Sequence, residues 1–430
     1  MVGDVRDLPA DRSRGTELSD EARTPHTRKV RFGPGLLVTA AFIGPGTIIT
    51  ASRAGAEFGY ALLWCVVFAT AATVVLQEMA ARLGLISRRG LAESIAHSID
   101  FAPARVAALL LVFSAIVLGN TAYQTGNLIG AGVGVEVLTG LPAAYAAAAI
   151  GMTVALILGF GVSTRVLQKG LTVIVLLMTA ALMATAVVSR PSVTSAFNGF
   201  WPLLPEGSLL TALALIGTTI VPYNLFLHAS TVQKTWPQGE SQAESLRAAR
   251  LDNLLSIGLG GAITMAIVLA AASTLHGSDA PSSLPKLVAQ LGSLIGVAGQ
   301  LLFASGLAAA GLTSAITAPL AAGYVAAEVF CSRDGQAIKR DRIVRATAAA
   351  VAATGALLAL VFGASPSVTV IAAQAVNGAL LPLVAIFLLV AMNSRGLLGE
   401  HRNGWKLNFA GAIVLVSTIA LGVKLLVKLF

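Results

Sequence analysis

The chain has 430 residues, of which 56% are hydrophobic and 11% charged, with a mean hydropathy of +0.82 and a net charge of +9. Soluble domains carry about 25% charged residues, and no single water-soluble core hides this much apolar surface, so a soluble enzyme, a disordered chain and a fibrous protein are excluded. At roughly 20 apolar residues per helical span there is room for about ten to twelve spans, and the alternating pattern of an outer-membrane barrel is missing.

Residues 1–32 are polar and rich in Asp, Arg and Ser; they read as a disordered cytoplasmic tail with no cleavable signal peptide. Eleven apolar spans follow, at 34–59, 61–84, 105–134, 141–162, 166–189, 208–231, 251–275, 288–329, 344–363, 367–392 and 407–429. The span 288–329 is long enough to carry a loop or a strong tilt. With the N-terminus inside, the cytoplasmic segments are the tail, 85–105, 163–169, 232–250, 331–345 and 393–406. These and the adjoining helix ends hold 24 of the 29 Lys and Arg. Arg190, Lys286, Lys424 and Lys428 fall on the outer side, and Arg53 lies within a span. Basic residues collect in cytoplasmic loops, so this asymmetry sets the orientation, places the C-terminus outside, and explains the net charge without a nucleic-acid partner. Trp201, Trp236 and Trp405 lie near span ends, where aromatic anchors collect.

Cys65 and Cys331 are far apart and give neither a disulfide framework nor metal-ligand spacing. No phosphate loop and no His-Glu-x-x-His is present. The chain therefore reads as neither an enzyme nor a cofactor binder. Arg outnumbers Lys and Ala is abundant, a composition that points to a bacterial inner membrane.

The first span is interrupted by Phe42-Ile43-Gly44-Pro45-Gly46-Thr47 and the sixth by Thr219-Ile220-Val221-Pro222-Tyr223-Asn224. Five spans separate the two starts. An odd number per repeat gives two halves of opposite orientation, and paired breaks in such halves point to a binding site at the bilayer midplane. Two simple proline kinks are the plainer explanation of the same pattern. The expected fold is an all-α polytopic membrane protein with a 5+5 inverted repeat: 33–190 as the first repeat, 191–392 as the second, and 393–430 as the eleventh helix.

Around these breaks the sequence resembles the Nramp family of proton-coupled divalent-metal transporters. Gly33-Pro34-Gly35-Leu36 and Ala54-Gly55-Ala56-Glu57-Phe58-Gly59-Tyr60 match the family's first helix, and Gln77-Glu78-Met79-Ala80-Ala81-Arg82-Leu83-Gly84 its second. Pro222, Asn224, Leu225, Leu227 and His228 match the sixth, and Ala308-Ala309-Ala310-Gly311-Leu312-Thr313-Ser314 the eighth. The resemblance implies the leucine-transporter type of fold, with helices 1 and 6 broken at the midplane. The departures fall on the metal ligands. Where the family reads Asp-Pro-Gly-Asn this chain has Gly44 and Thr47 at the Asp and Asn positions, and where it reads Met-Pro-His-Asn it has Val221 and Tyr223. Gln124 and Asn127 stand where the family carries two acids of its proton path.

A dication needs oxygen or sulfur ligands with enough charge to offset dehydration, and Gly and Val supply neither. Half-helix N-termini favour anionic groups. The expected substrate is a small neutral, zwitterionic or anionic organic solute held by Gly44, Gly46, Thr47, Val221, Tyr223, Asn224 and Gln374, with no bound metal. Alternatively, Thr47 and Asn224 only repair backbone hydrogen bonds in the unwound segments. Asn120, Tyr123, Gln124 and Asn127 form one polar face of the third helix. They read either as interhelical hydrogen-bond partners or, with Asn377, as a lining of the transport path. His228 and Arg345 match family residues on the inner proton route, but without acidic partners there, so family-style proton coupling is not expected.

Arg53 and Glu57, at i and i+4, read as a mutual ion pair or as an anion-attracting outer vestibule. Glu78 snorkels or pairs with Arg82, and Glu328 ends the eighth span facing the cytoplasm. The leading function is a secondary transporter working by alternating access. The alternatives are a divalent-cation transporter with a relaxed, hydrated site, and a sensor that keeps the fold without transport. The implied partners are a small-molecule or ion substrate and the lipid bilayer, with no obligatory protein partner.

Overall fold

Proline sets where the two interrupted spans restart as helix. It lacks an N–H, which costs nothing in a helix's first turn, and its fixed φ suits that position. It also drives the preceding residue to extended backbone. In the computed structural model, Gly44 (φ −96°, ψ 179°) precedes helix α1, Pro45–Phe58. In the sixth span α8, Leu209–Thr219, stops, Val221 (φ −83°, ψ 117°) is extended, and α9, Pro222–Thr235, begins. Residues 44–236, 241–277, 286–287, 296–331 and 337–429 are described here. The tail, the first half of the first span with Gly33-Pro34-Gly35-Leu36, and residues 288–295 of the long eighth span lie outside them.

The remaining helices are α2 (Leu63–Ser87), α3 (Leu91–Ser98), α4 (Ala102–Thr139), α5 (Ala143–Phe160), α6 (Arg165–Val188) and α7 (Val193–Asn198), then α10 (Gln242–Thr274), α11 (Gly296–Phe330), α12 (Ala337–Phe362), α13 (Pro366–Asn393), α14 (Arg395–Leu398) and α15 (Trp405–Leu429). Among the described residues, ten helices are long and apolar enough to cross a membrane, counting α8 and α9 as one; α1 adds the second half of the first span.

The packing repeats itself across the two halves. Helix α4 lies against α11 and α5 against α12, the equivalent elements of the two repeats. The contact of α1 with α10 is answered by that of α9 with α2, and α4 on α13 by α11 on α6. This is the 5+5 inverted-repeat fold. Among the described spans the broken sixth is the most enclosed, with 94% of its most apolar stretch buried against 22% for α15.

Three expectations from sequence are corrected. Helix α10 begins at Gln242 rather than near 251, because a helix continues past the membrane surface where hydropathy no longer marks it. The segments after α2 and α6, given no helix in the sequence reading, carry the short helices α3 and α7. Trp236 is no interface anchor. It is buried with Ala81, Leu85, Val232, Leu246 and Ala249, and its carbonyl accepts a hydrogen bond from Arg88. Trp201 and Trp405 are exposed as anchors should be.

Candidate functional site at the helix breaks

The two breaks are neighbours in space. The Thr47 hydroxyl, in the first turn of α1, lies 2.8 Å from that of Thr218, in the last turn of α8, and both are buried. Gly44 and Gly46 are crowded from three sides. A Cβ on Gly44 would stand 2.9 Å from Ser314 Oγ of α11 and 3.6 Å from Asn127 Oδ1 of α4. A Cβ on Gly46 would stand 2.2 Å from Gln374 Nε2 of α13. The Gln374 amide therefore lies directly over the Gly46 backbone, a contact only glycine permits. Across the second break, the Tyr223 ring meets the Tyr123 ring edge-on at 5.6 Å, and Tyr123 is one turn before Asn127 on α4. Asn224 follows in the first turn of α9, 1% exposed.

This cluster has polarity without charge. The side chains of Asn127, Asn224, Gln374 and Ser314 are buried, and their seven polar atoms make no hydrogen bond to the described residues. An unmatched buried donor or acceptor costs about 1–3 kcal/mol. Seven together rival the roughly 5–15 kcal/mol that holds a whole domain folded. Water or a ligand can match such groups. Among the described residues, no three His, Cys, Asp or Glu come together as metal ligands.

The polar face of α4 divides along its length. Asn120 Nδ2 donates to the Ala318 carbonyl at 2.9 Å and Gln124 Nε2 to that of Ala315 at 3.1 Å. Both tie α4 to α11. One turn on, Asn127 faces Gly44 instead. Asn377 is buried on α13, one turn beyond the region where Gln374 covers Gly46, and its Nδ2 makes no hydrogen bond to the described residues. Val221 is buried and supplies extended backbone, not a ligand side chain.

Other residues singled out from sequence lie away from the breaks. His228 Nδ1 sits 2.7 Å from Gln77 Oε1, joining α9 to α2. Arg345 pairs with Asp341 at 2.7 Å, is 44% exposed, and lies against Gly161 at the end of α5, outside the cluster. Arg53 and Glu57 form an ion pair, each side chain about one-third exposed. Glu78 pairs with both Arg82 (3.1 Å) and Arg250 (2.9 Å).

Ser314 and Thr218 were not foreseen as site residues. Ser314 had a signal, a hydroxyl inside an apolar span, but its place beside Gly44 is a tertiary fact.

The profile of natural resistance-associated macrophage protein-like (Nramp) proteins matches residues 35–428. The divalent metal cation transporter MntH of Aeromonas hydrophila is 29% identical over 406 residues, covering 93% of this chain and 95% of that one. Among solved structures, the manganese transporter of Eremococcus coleocola has a TM-score of 0.70 at 20% identity, over 94% of this chain and 89% of that one. MhsT, solved in complex with L-phenylalanine, has a TM-score of 0.57 at 17% identity, over 90% and 98%.

Proposed function

The chain belongs to the Nramp family and is a multi-pass membrane transporter; from that premise we propose that it works by alternating access and that its central site takes a small neutral, zwitterionic or anionic organic solute. One observation carries this reading: at the breaks, four buried side chains offer amides and a hydroxyl but no carboxylate, and none of their seven polar atoms is matched by the described residues. Amide N–H and C=O groups suit a polar organic solute, whose own donors and acceptors they complement one for one. A bare dication among neutral ligands recovers too little of its hydration energy. The basic end of the bundle is then cytoplasmic, as the charge asymmetry indicates. With Gln124 and Asn127 in place of acids, α4 offers no proton relay.

The relative named as a divalent metal cation transporter favours a second reading, a cation that keeps most of its water and is contacted by the same neutral oxygens. Under either reading, Asn127 touches cargo and Asn120 does not. Asn120→Ala should lower stability by about 1–2 kcal/mol and leave transport affinity unchanged. Asn127→Ala should cost little stability and weaken cargo binding at least tenfold. Thermal unfolding and concentration-dependent uptake in proteoliposomes check the split; equal uptake defects in both variants would contradict it.

A further inference from the structure

The basic end of the bundle holds a cavity of about 390 Å³, lined in part by Gly90, Leu227, Thr231, Tyr324 and Glu328. Asn224, Leu227 and Thr231 lie at i, i+3 and i+7 on α9, so one face of this half-helix runs from the second break into the cavity.

One carboxylate ties three elements together across this cavity. Glu328, near the end of α11, accepts a 2.6 Å hydrogen bond from the Ser230 hydroxyl of α9 and a 3.1 Å bond from the Ala92 N–H of α3. Ala92 lies in the first turn of α3, where N–H groups have no partner within the helix. The N-cap of α3 is Gly90, which has no side chain to cap it. Glu328 supplies that cap from another helix. The fit is close: a Cβ on Gly90 would stand 2.0 Å from Glu328 Oε1. Glu93 of α3 and Arg340 of α12 also line the cavity.

We propose that the cavity is the cytoplasmic vestibule and that Glu328 is its latch, holding the inner half of the broken sixth span against α3 and α11 until the Ser230 bond breaks. The proposal rests on the alternating-access reading, to which it adds a movement of α9, but not on the identity of the cargo. Glu328 is a positioning residue: it acts through α9.

The test uses the full chain with Cys331→Ser and a reporter Thr231→Cys in the vestibule, labelled by a maleimide without added cargo. Ser230→Ala removes one hydroxyl, leaves the cap on α3 intact, and should raise the labelling rate up to about tenfold, the upper end of what one net hydrogen bond contributes. Glu328→Ala should raise it further, and Glu328→Gln, which keeps an acceptor oxygen, should lie nearer the parent. If Glu328→Ala does not fold, Ser230→Ala alone decides. Unchanged labelling in Ser230→Ala, or in a folded Glu328→Ala, overturns the latch. If the parent protein transports a solute, the latch alone falls; if it transports none of the solutes or metals tested, the alternating-access reading falls as well.

Discussion

Gly46→Ala should abolish uptake while leaving a folded protein. The added methyl would stand 2.2 Å from Gln374 Nε2. That atom is the tip of a flexible side chain, so the amide turns aside instead of forcing the backbone apart. The same atom added at Gly217 meets a different neighbour. Its Cβ would stand 2.1 Å from the Gln374 carbonyl and 2.4 Å from the Gly378 nitrogen, which are helix backbone. Overpacking of that kind costs typically 1–3 kcal/mol or more, so Gly217→Ala should lower the unfolding midpoint and the yield. Uptake assays and thermal unfolding on both variants separate a blocked site from a strained fold. A fully active Gly46→Ala protein would remove Gln374 from the site.

The second large effect concerns Gly44. Placing Asp there buries an unpaired carboxylate, at about 2.5–3.5 kcal/mol near a helix centre in the membrane, and its Cβ would stand 2.9 Å from Ser314 Oγ. Gly44→Asp alone should be strongly destabilised. Combined with Ser314→Ala, Thr47→Asn and Val221→Met, it acquires the ligand set that the family resemblance implies, and Mn²⁺ should then restore stability. Binding at 100 times the dissociation constant stabilises by about 2.7 kcal/mol, which a thermal scan with and without Mn²⁺ resolves. A combined variant indifferent to Mn²⁺ would show that losing the acid was not what set the cargo class.

The breaks were legible because proline acts locally: Pro45 and Pro222 end and restart helices whatever surrounds them. The spans were legible because a membrane imposes length and hydropathy. The start of α10 and the helices α3 and α7 were not, since helix outside the apolar layer has no such signature. The site was legible in part. Helical periodicity put Asn120, Gln124 and Asn127 on one face. It had no way to say that the first two find carbonyls on α11 while the third finds Gly44, because that depends on where the neighbouring helix ends its contact. Arg345 matched by sequence but lies at the surface with Asp341. Ser314 was visible only as part of a matching stretch; its role came from the missing side chain at Gly44, a complementarity between residues 270 positions apart.

The central claim is that an uncharged site at the breaks takes an organic solute. Its most direct test is a thermal-shift series on the purified wild-type chain with Mn²⁺, Mg²⁺, the amino acids and short-chain organic acids, followed by calorimetry on any hit. The account predicts stabilisation by at least one organic solute, its loss in Asn224→Ala, and no shift with Mn²⁺. Saturable stabilisation by Mn²⁺ that disappears in Thr47→Ala, with no response to any organic solute, would contradict it.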